Sequence, residues 1–229
     1  MVPSAAMSAQ AETKGGRYVP ALGRDRLTSL YDPVLRLTTR EREFKERLLD
    51  QAELHGTLDV LDLGCGTGTL AVWAKQRAPE SNVVGLDGDP KVLARARGKA
   101  EQADCDVRFD EGLSYELPYP DASFDRVLSS LFFHHLELPD KRRTIEELRR
   151  VLRPTGQLHV ADWGAPSNLL MKVLSLSIRL IDGFDTTREN LRGALPRLFE
   201  KGGFESVRAR DRLSTVSGTL AFYSGVRPA

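Results

Sequence analysis

The stretch "DVLDLGCGTGTL", Asp59 to Leu70, decides how this chain folds. "DVLDLG" is a short apolar run with strand character that ends at a glycine. Glycines recur at 64, 66 and 68, and "TLAVWAKQRA" beyond them has helical character. A glycine turn between a strand and a helix leaves bare backbone that a ligand can approach closely. Three ligand chemistries compete for such a turn. A phosphate-cradling Walker A loop requires Gly-Lys-Ser/Thr, which is absent. A dinucleotide loop requires a third glycine or an alanine three positions after its second glycine. That position is Thr69, and the third glycine comes early, at Gly68. Asp62, two residues before Gly64, would also repel a pyrophosphate. A ligand with a cationic head group suits that carboxylate. The plain alternative is a tight strand–helix turn that binds nothing.

Outward from this stretch the chain alternates. "NVVGLD", "DVRFDE", "FDRVLSSL" and "GQLHVADW" read as further strands. Between them, "PKVLARARGKAEQA" opens with a proline suited to a first helical turn, and "DKRRTIEELRRVL" carries Ile145, Leu148 and Leu152 on one side. The last strand follows the breaker "RPTG". Alternation of this kind predicts an α/β Rossmann-like fold, a mostly parallel sheet with helices on both faces. Ligands then belong at the carboxyl ends of the strands.

The remaining segments frame this core. Residues 1–16, "MVPSAAMSAQAETKGG", are small and polar without a continuous apolar stretch, and read as a disordered tail instead of a signal peptide. Residues 17–229 read as a single domain. Within it, 17–55 form a helical cap and 56–165 the ligand-binding core. Residues 166–200 hold an apolar helical lid region and a helix, and 203–229 a strand pair. The 229 residues carry a formal net charge of only +1, so no global basic field points to nucleic acid. The two cysteines, Cys65 and Cys105, lack metal-ligand spacing and suggest no disulfide framework, which fits a cytoplasmic setting. No metal site is expected. No apolar run is long enough for an integral membrane segment, which leaves only peripheral membrane contact.

Four motifs in order, from Asp59 to Ala161, make the chain resemble the class I S-adenosylmethionine-dependent methyltransferases. Asp-x-Gly-x-Gly-x-Gly from Asp62 resembles their motif I. "GLDGDP" ends the second strand at Asp87. "ELPYPDASFDRVLSS" is similar to their "LPFPDxSFD" loop and fourth strand, and "LRPTGQL" to their "LxPGG" turn. The resemblance is strongest to the subgroup of ubiquinone and menaquinone C-methyltransferases, the type 11 small-molecule enzymes. It implies a seven-stranded sheet with the last strand antiparallel, and S-adenosylmethionine as cofactor. Asp62, Gly64 and Cys65 would hold the methionine end, with Gly66 and Gly68 allowing close approach. Asp87 would bind the ribose, since Asp89 before Pro90 serves as the helix cap and leaves Asp87 free. Gly88 would lie against the adenine. Leu113 stands where the family's adenine-binding aspartate would be, so Leu113 would pack on the ring and the Ser114 backbone or side chain would compensate. Ser129 would offer its carbonyl to the ammonium. Tyr18 and Tyr31, in the cap, would close over the donor.

Methyl transfer from a sulfonium needs chiefly orientation and water exclusion. A base is required only where the acceptor loses a proton early. His134 and His135 in "SSLFFHHL" follow the fourth strand, and Asp162 and Trp163 follow the fifth, so all four belong on the functional edge. His134 is the candidate base and Asp162 a group that orients the acceptor. Helix capping and core packing are the plain alternatives for each. His159, inside its strand, reads as structural. The apolar stretch from Leu169 to Ile181 favours a small lipophilic acceptor. The Asn/Asp-Pro-Pro-aromatic motif of nucleic-acid amino-methylating enzymes is absent. Two further readings stay open. One is a non-catalytic S-adenosylmethionine-binding or scaffold protein on the same fold. The other is a dinucleotide oxidoreductase, against which Thr69 and Asp62 argue.

Overall fold

The computed structural model describes residues 40–172, 174 and 184–229. The elements, in chain order, are α1 (Glu41–Ala52), β1 (Asp59–Leu63), α2 (Thr69–Arg77), β2 (Asn82–Asp87), α3 (Pro90–Gln102), β3 (Val107–Glu111) and β4 (Phe124–Ser130). A 3-10 turn, Phe133–His135, follows. Then come α4 (Leu138–Val151), β5 (Leu152–Trp163), α5 (Phe184–Leu191), α6 (Leu195–Lys201), β6 (Glu205–Thr215) and β7 (Gly218–Val226). The strands form one seven-stranded sheet in the order β3-β2-β1-β4-β5-β7-β6. Strands β1 to β5 pair in parallel, and β7 runs antiparallel to both β5 and β6. The strand order reverses between β1 and β4, so the crevice beyond their carboxyl ends is where a ligand belongs.

Local chemistry explains the boundaries. Asp89 caps α3 by accepting from the Lys91 amide at 2.8 Å, and Pro90 supplies the first turn. Gly64, Gly66 and Gly68 all take positive φ, at 67°, 53° and 73°, which turns β1 sharply into α2. Apolar residues on alternate strand positions separate two core layers. Val60, Leu128 and Ala161 pack with Leu48, Leu70 and Leu93 beneath α1, α2 and α3. Leu61, Leu63, Leu158 and Val160 pack with Ile145, Leu148 and Phe199 on the face of α4 and α6. Each fully buried valine, leucine, isoleucine or phenylalanine among them contributes about 1.5–3 kcal/mol. The same alternation places Asp62 in the first layer and Asp162 in the second.

Two elements depart from the sequence reading. The "RPTG" segment lies inside β5 and not before it. The β4 ladder steps from Phe124 opposite Leu152 to Arg126 opposite Gln157, so the intervening residues bulge. Their backbone groups are met by the end of β7: the Thr155 amide donates to Arg227 O at 2.9 Å, and the Arg227 amide to Gly156 O at 2.9 Å. The charged segment near "TRENLRGALPRLFEKGG" is two helices, because Gly193 at φ 68° and Pro196 break it.

At the amino edge of the sheet, Arg153 bridges two strands. Its guanidinium donates to Asp125 at 2.6 Å and to Asp59 at 2.7 Å, and Asn82 donates to the other Asp59 oxygen at 2.9 Å. Burial alone would raise the Asp59 carboxyl, but Asn82 and Arg153 together hold it below its ordinary value. Tyr18, Tyr31 and the first half of the expected cap lie outside the described residues, as does most of the apolar stretch after Met171. No described helix is long and apolar enough to cross a membrane.

Candidate active site

The glycine loop is pinned by its backbone. The amides of Gly64 and Cys65 both donate to Leu86 O, at 2.9 and 3.0 Å, and the Gly68 amide donates to Cys65 O at 2.9 Å. The three glycines are not equivalent. A side chain at Gly64 would collide with the Phe132 ring at 2.2 Å, and one at Gly68 would meet Ala96 at 2.8 Å and Phe109 at 2.9 Å. At Gly66 nothing lies within 4 Å, so its bare Cα faces open space.

Asp62, at the carboxyl end of β1, is fully buried, and neither carboxylate oxygen has a hydrogen-bond partner among the described residues. Burial pushes its carboxyl up to about 7. Lys45 of α1 pulls it back down, the Ala71 amide does so weakly without completing a hydrogen bond, and Asp87 pushes it up. A buried carboxylate with no hydrogen-bond partner among the described residues is costly to a fold unless it is protonated or a cation completes it. Cys65 is also buried, and burial followed by the charges of Asp62 and Asp87 drives its thiol well up, away from nucleophilic use.

Asp87 is engaged, not free. It accepts from the Gly66 amide at 2.9 Å and from the Asp89 amide at 3.1 Å. Burial raises its carboxyl while those amides hold it down, and the net direction is upward. Each oxygen still has acceptor capacity beyond the one bond it makes. Gly88 continues the turn from this residue into α3. Leu113, half-buried, faces Glu116 across an isolated bridge. The Ser114 hydroxyl is buried and bonded to Thr144 of α4 at 2.8 Å, so its side chain serves packing, and only its backbone remains for a ligand. The Ser129 hydroxyl donates to Leu63 O at 3.0 Å, clamping β4 to β1 at the crevice.

On the opposite face of the sheet, His134 and Asp162 meet. His134 Nδ1 lies 2.8 Å from Asp162 Oδ1, and the His134 and Trp163 amides donate to the same carboxylate at 3.3 and 2.7 Å. Burial alone would raise Asp162, yet His134 and the Trp163 amide hold it below its ordinary value. It stays ionised and orients the imidazole. His135 packs on His134 with ring centroids 3.9 Å apart, and burial, reinforced by His134, lowers its pKa to about 3. A ring so hard to protonate remains neutral. Trp163 is buried in the core, its ring edge-on to His134 at 6.3 Å. His159 is structural, with Gln51 and Gln157 each 3.1 Å from one ring nitrogen.

Three buried polar residues escaped the sequence reading. Lys45, within the stripe Phe44, Leu48, Leu49 and Ala52, carries a buried ammonium 2.6 Å from Glu41 and close enough to act on Asp62. Lys141, on the apolar side of α4, donates to Leu136 O at 2.8 Å and Thr186 O at 2.6 Å, tying α4 to α5. Asn190 of α5 is fully buried. The signal available for the two lysines was a cation interrupting an apolar helical stripe.

Comparison with known proteins agrees with this fold. A family model described as a methyltransferase domain matches residues 60–156. An uncharacterized methyltransferase of Synechocystis is 32% identical over 184 residues, covering 78% of this chain and 84% of that protein. The chain belongs to the class I S-adenosylmethionine-dependent methyltransferases. A demethylmenaquinone methyltransferase of Thermus thermophilus is 39% identical over 138 residues, 59% of this chain and 62% of that one. Another, from Deinococcus radiodurans, is 37% identical over 128 residues, 56% of this chain and 52% of that one. The chain thus spans between about half and three fifths of the length of these two relatives. Among solved structures, the YcgJ protein of Bacillus subtilis aligns with a TM-score of 0.67 at 18% identity, covering 82% of this chain and 99% of that one. A methyltransferase from Aquifex aeolicus aligns at 0.64 and 19%, covering 92% and 100%. At these identities the two structures speak for the fold alone.

Proposed function

We propose that the protein transfers a methyl group from S-adenosylmethionine to a small lipophilic acceptor. The observation that carries this reading is Asp62: a buried carboxylate with no hydrogen-bond partner among the described residues, at the end of the strand that leads into the loop whose Gly66 faces open space. An ammonium is the complement that such a site lacks. Asp62 and Lys45 would hold the ammonium and carboxylate of the methionine end. Gly66 would let the ligand reach the backbone, Asp87 would use its remaining acceptor capacity on the ribose, and Gly88, Leu113 and the Ser114 backbone would flank the adenine. S-adenosylmethionine, when bound, supplies an electrophilic methyl together with its own leaving group.

The chain's own residues then orient the acceptor and exclude water. In this reading His134, held by Asp162, would take a proton from the acceptor at its imidazole, and Asp162 would stabilise the resulting cation. His135, Trp163 and the end of α5 keep this edge dry. The demethylmenaquinone methyltransferases among the relatives support a lipophilic, ring-bearing acceptor. Calorimetry with S-adenosylhomocysteine tests the reading. Binding is expected, and Asp87→Ala should weaken it strongly. Folded protein that binds neither S-adenosylhomocysteine nor S-adenosylmethionine would refute it.

A further inference from the structure

We propose that Asn190 reads an oxygen substituent on the acceptor, a hydroxyl or carbonyl on an otherwise apolar molecule, and so sets acceptor specificity. The inference rests on the methyltransferase reading above. Asn190 is fully buried, and neither its side-chain oxygen nor its nitrogen has a hydrogen-bond partner among the described residues. An unmade hydrogen bond of this kind destabilises a fold. Two in one side chain mark a place completed by something else.

The helix that carries it stands at the acceptor edge. α5 packs against the 3-10 turn that bears His134 and against β5, which ends in Asp162 and Trp163. Thr187, Asn190 and Leu191 form its buried side, while Arg188 is exposed. Lys141 anchors the helix through Thr186 O, and Lys141 feels both Asp162 and Glu189, which places α5 beside the His134–Asp162 pair. At the helix end, a side chain on Gly193 would come within 3.3 Å of Ala165, just past β5. Leu191 shares its core layer with Ala161 and Trp163. The buried side of α5 sets this amide next to the apolar Leu191, so an amide here is selective. It offers one donor face and one acceptor face, which a single hydroxyl satisfies together and a methyl group satisfies not at all.

The test uses two probes of one shape, 1-naphthol and 1-methylnaphthalene, which exchange a hydroxyl for a methyl. Binding of each is followed by tryptophan fluorescence on full-length protein saturated with S-adenosylhomocysteine. Wild type should bind 1-naphthol about tenfold more tightly. Asn190→Leu should abolish or invert that preference, leave S-adenosylhomocysteine affinity unchanged and raise the melting temperature of the ligand-free protein. Asn190→Ala, which leaves a smaller side chain, should lose the same preference. The proposal is overturned if wild type binds neither probe or both equally, if the preference survives both substitutions, or if Asn190→Leu lowers the melting temperature as loss of a structural bond would. Absence of S-adenosylhomocysteine binding is a different result, and it sinks the methyltransferase reading itself.

Discussion

Alanine at Gly66 and alanine at Gly64 should fail in different ways. Both glycines have positive φ, so an L side chain at either costs about 1–2 kcal/mol of backbone strain. At Gly66 that is the whole cost to the ligand-free fold, because the new methyl points into open space. For a chain of this size, about 1 kcal/mol moves the melting temperature by roughly 2–4 °C. Gly66→Ala should therefore melt about 2–8 °C below wild type and still fold. At Gly64 the new methyl would sit 2.2 Å from the Phe132 ring. Overpacking adds about 1–3 kcal/mol to the strain, for a total of about 2–5 kcal/mol. Phe132→Leu should return part of that loss to Gly64→Ala and none to Gly66→Ala. Donor binding reverses the ranking. Ligand at a hundred times its dissociation constant stabilises a fold by about 2.7 kcal/mol. In differential scanning fluorimetry wild type should thus gain roughly 5–11 °C with saturating S-adenosylhomocysteine. Gly66→Ala should gain almost nothing, since its methyl occupies the space the ligand needs. A Gly66→Ala protein that is stabilised as much as wild type would refute the assignment of that space to the donor.

Further outcomes follow from the buried charges. Asp62 has a folded value near 7 against an ordinary 3.8, so its contribution to ligand-free stability falls as pH rises from about 4 to 7 and is flat above. S-adenosylhomocysteine affinity should rise over the same window, at most about tenfold per pH unit, and level off above 7, and Asp62→Asn should erase the slope in calorimetry. Lys45→Met removes the charge that pulls Asp62 down, so the pH at which affinity levels off should move upward and affinity at neutral pH should drop about tenfold. An unmoved break would remove Lys45 from the donor site. His134→Ala should lower turnover about 10²–10⁴-fold while changing S-adenosylhomocysteine affinity little, and Asp162→Asn should lower turnover in the same direction. Unchanged turnover in either variant excludes the pair from proton transfer.

Much of this arrangement was legible in the chain because it is local. The glycine loop, the Asp89 cap and the alternation of strands with helices rest on neighbours in sequence, and the structure has all three. The extent of β5 was not local. "RPTG" breaks a strand in isolation, and it is carried within one only because the distant Arg227 satisfies its backbone. Asp87 and Ser114 illustrate a second limit. Their residue types suit a ligand, but partners at Gly66, Asp89 and Thr144 decide which of their atoms are available. Asn190 sits in a polar, charged segment, and its burial depends on α5 packing against the distant 3-10 turn and β5.

The Arg153 bridge has a consequence for how such an enzyme changes over time. It fastens the amino edge of the sheet with groups that satisfy one another and ask nothing of a ligand. The carboxyl edge is the reverse: among the described residues, an acid in β1 and an amide in α5 have no hydrogen-bond partner. Stability and chemistry are therefore drawn from opposite ends of the same strands. Under the function proposed above, substitutions that retune the carboxyl edge leave the fastening untouched, so the protein can explore new acceptors without first risking its fold.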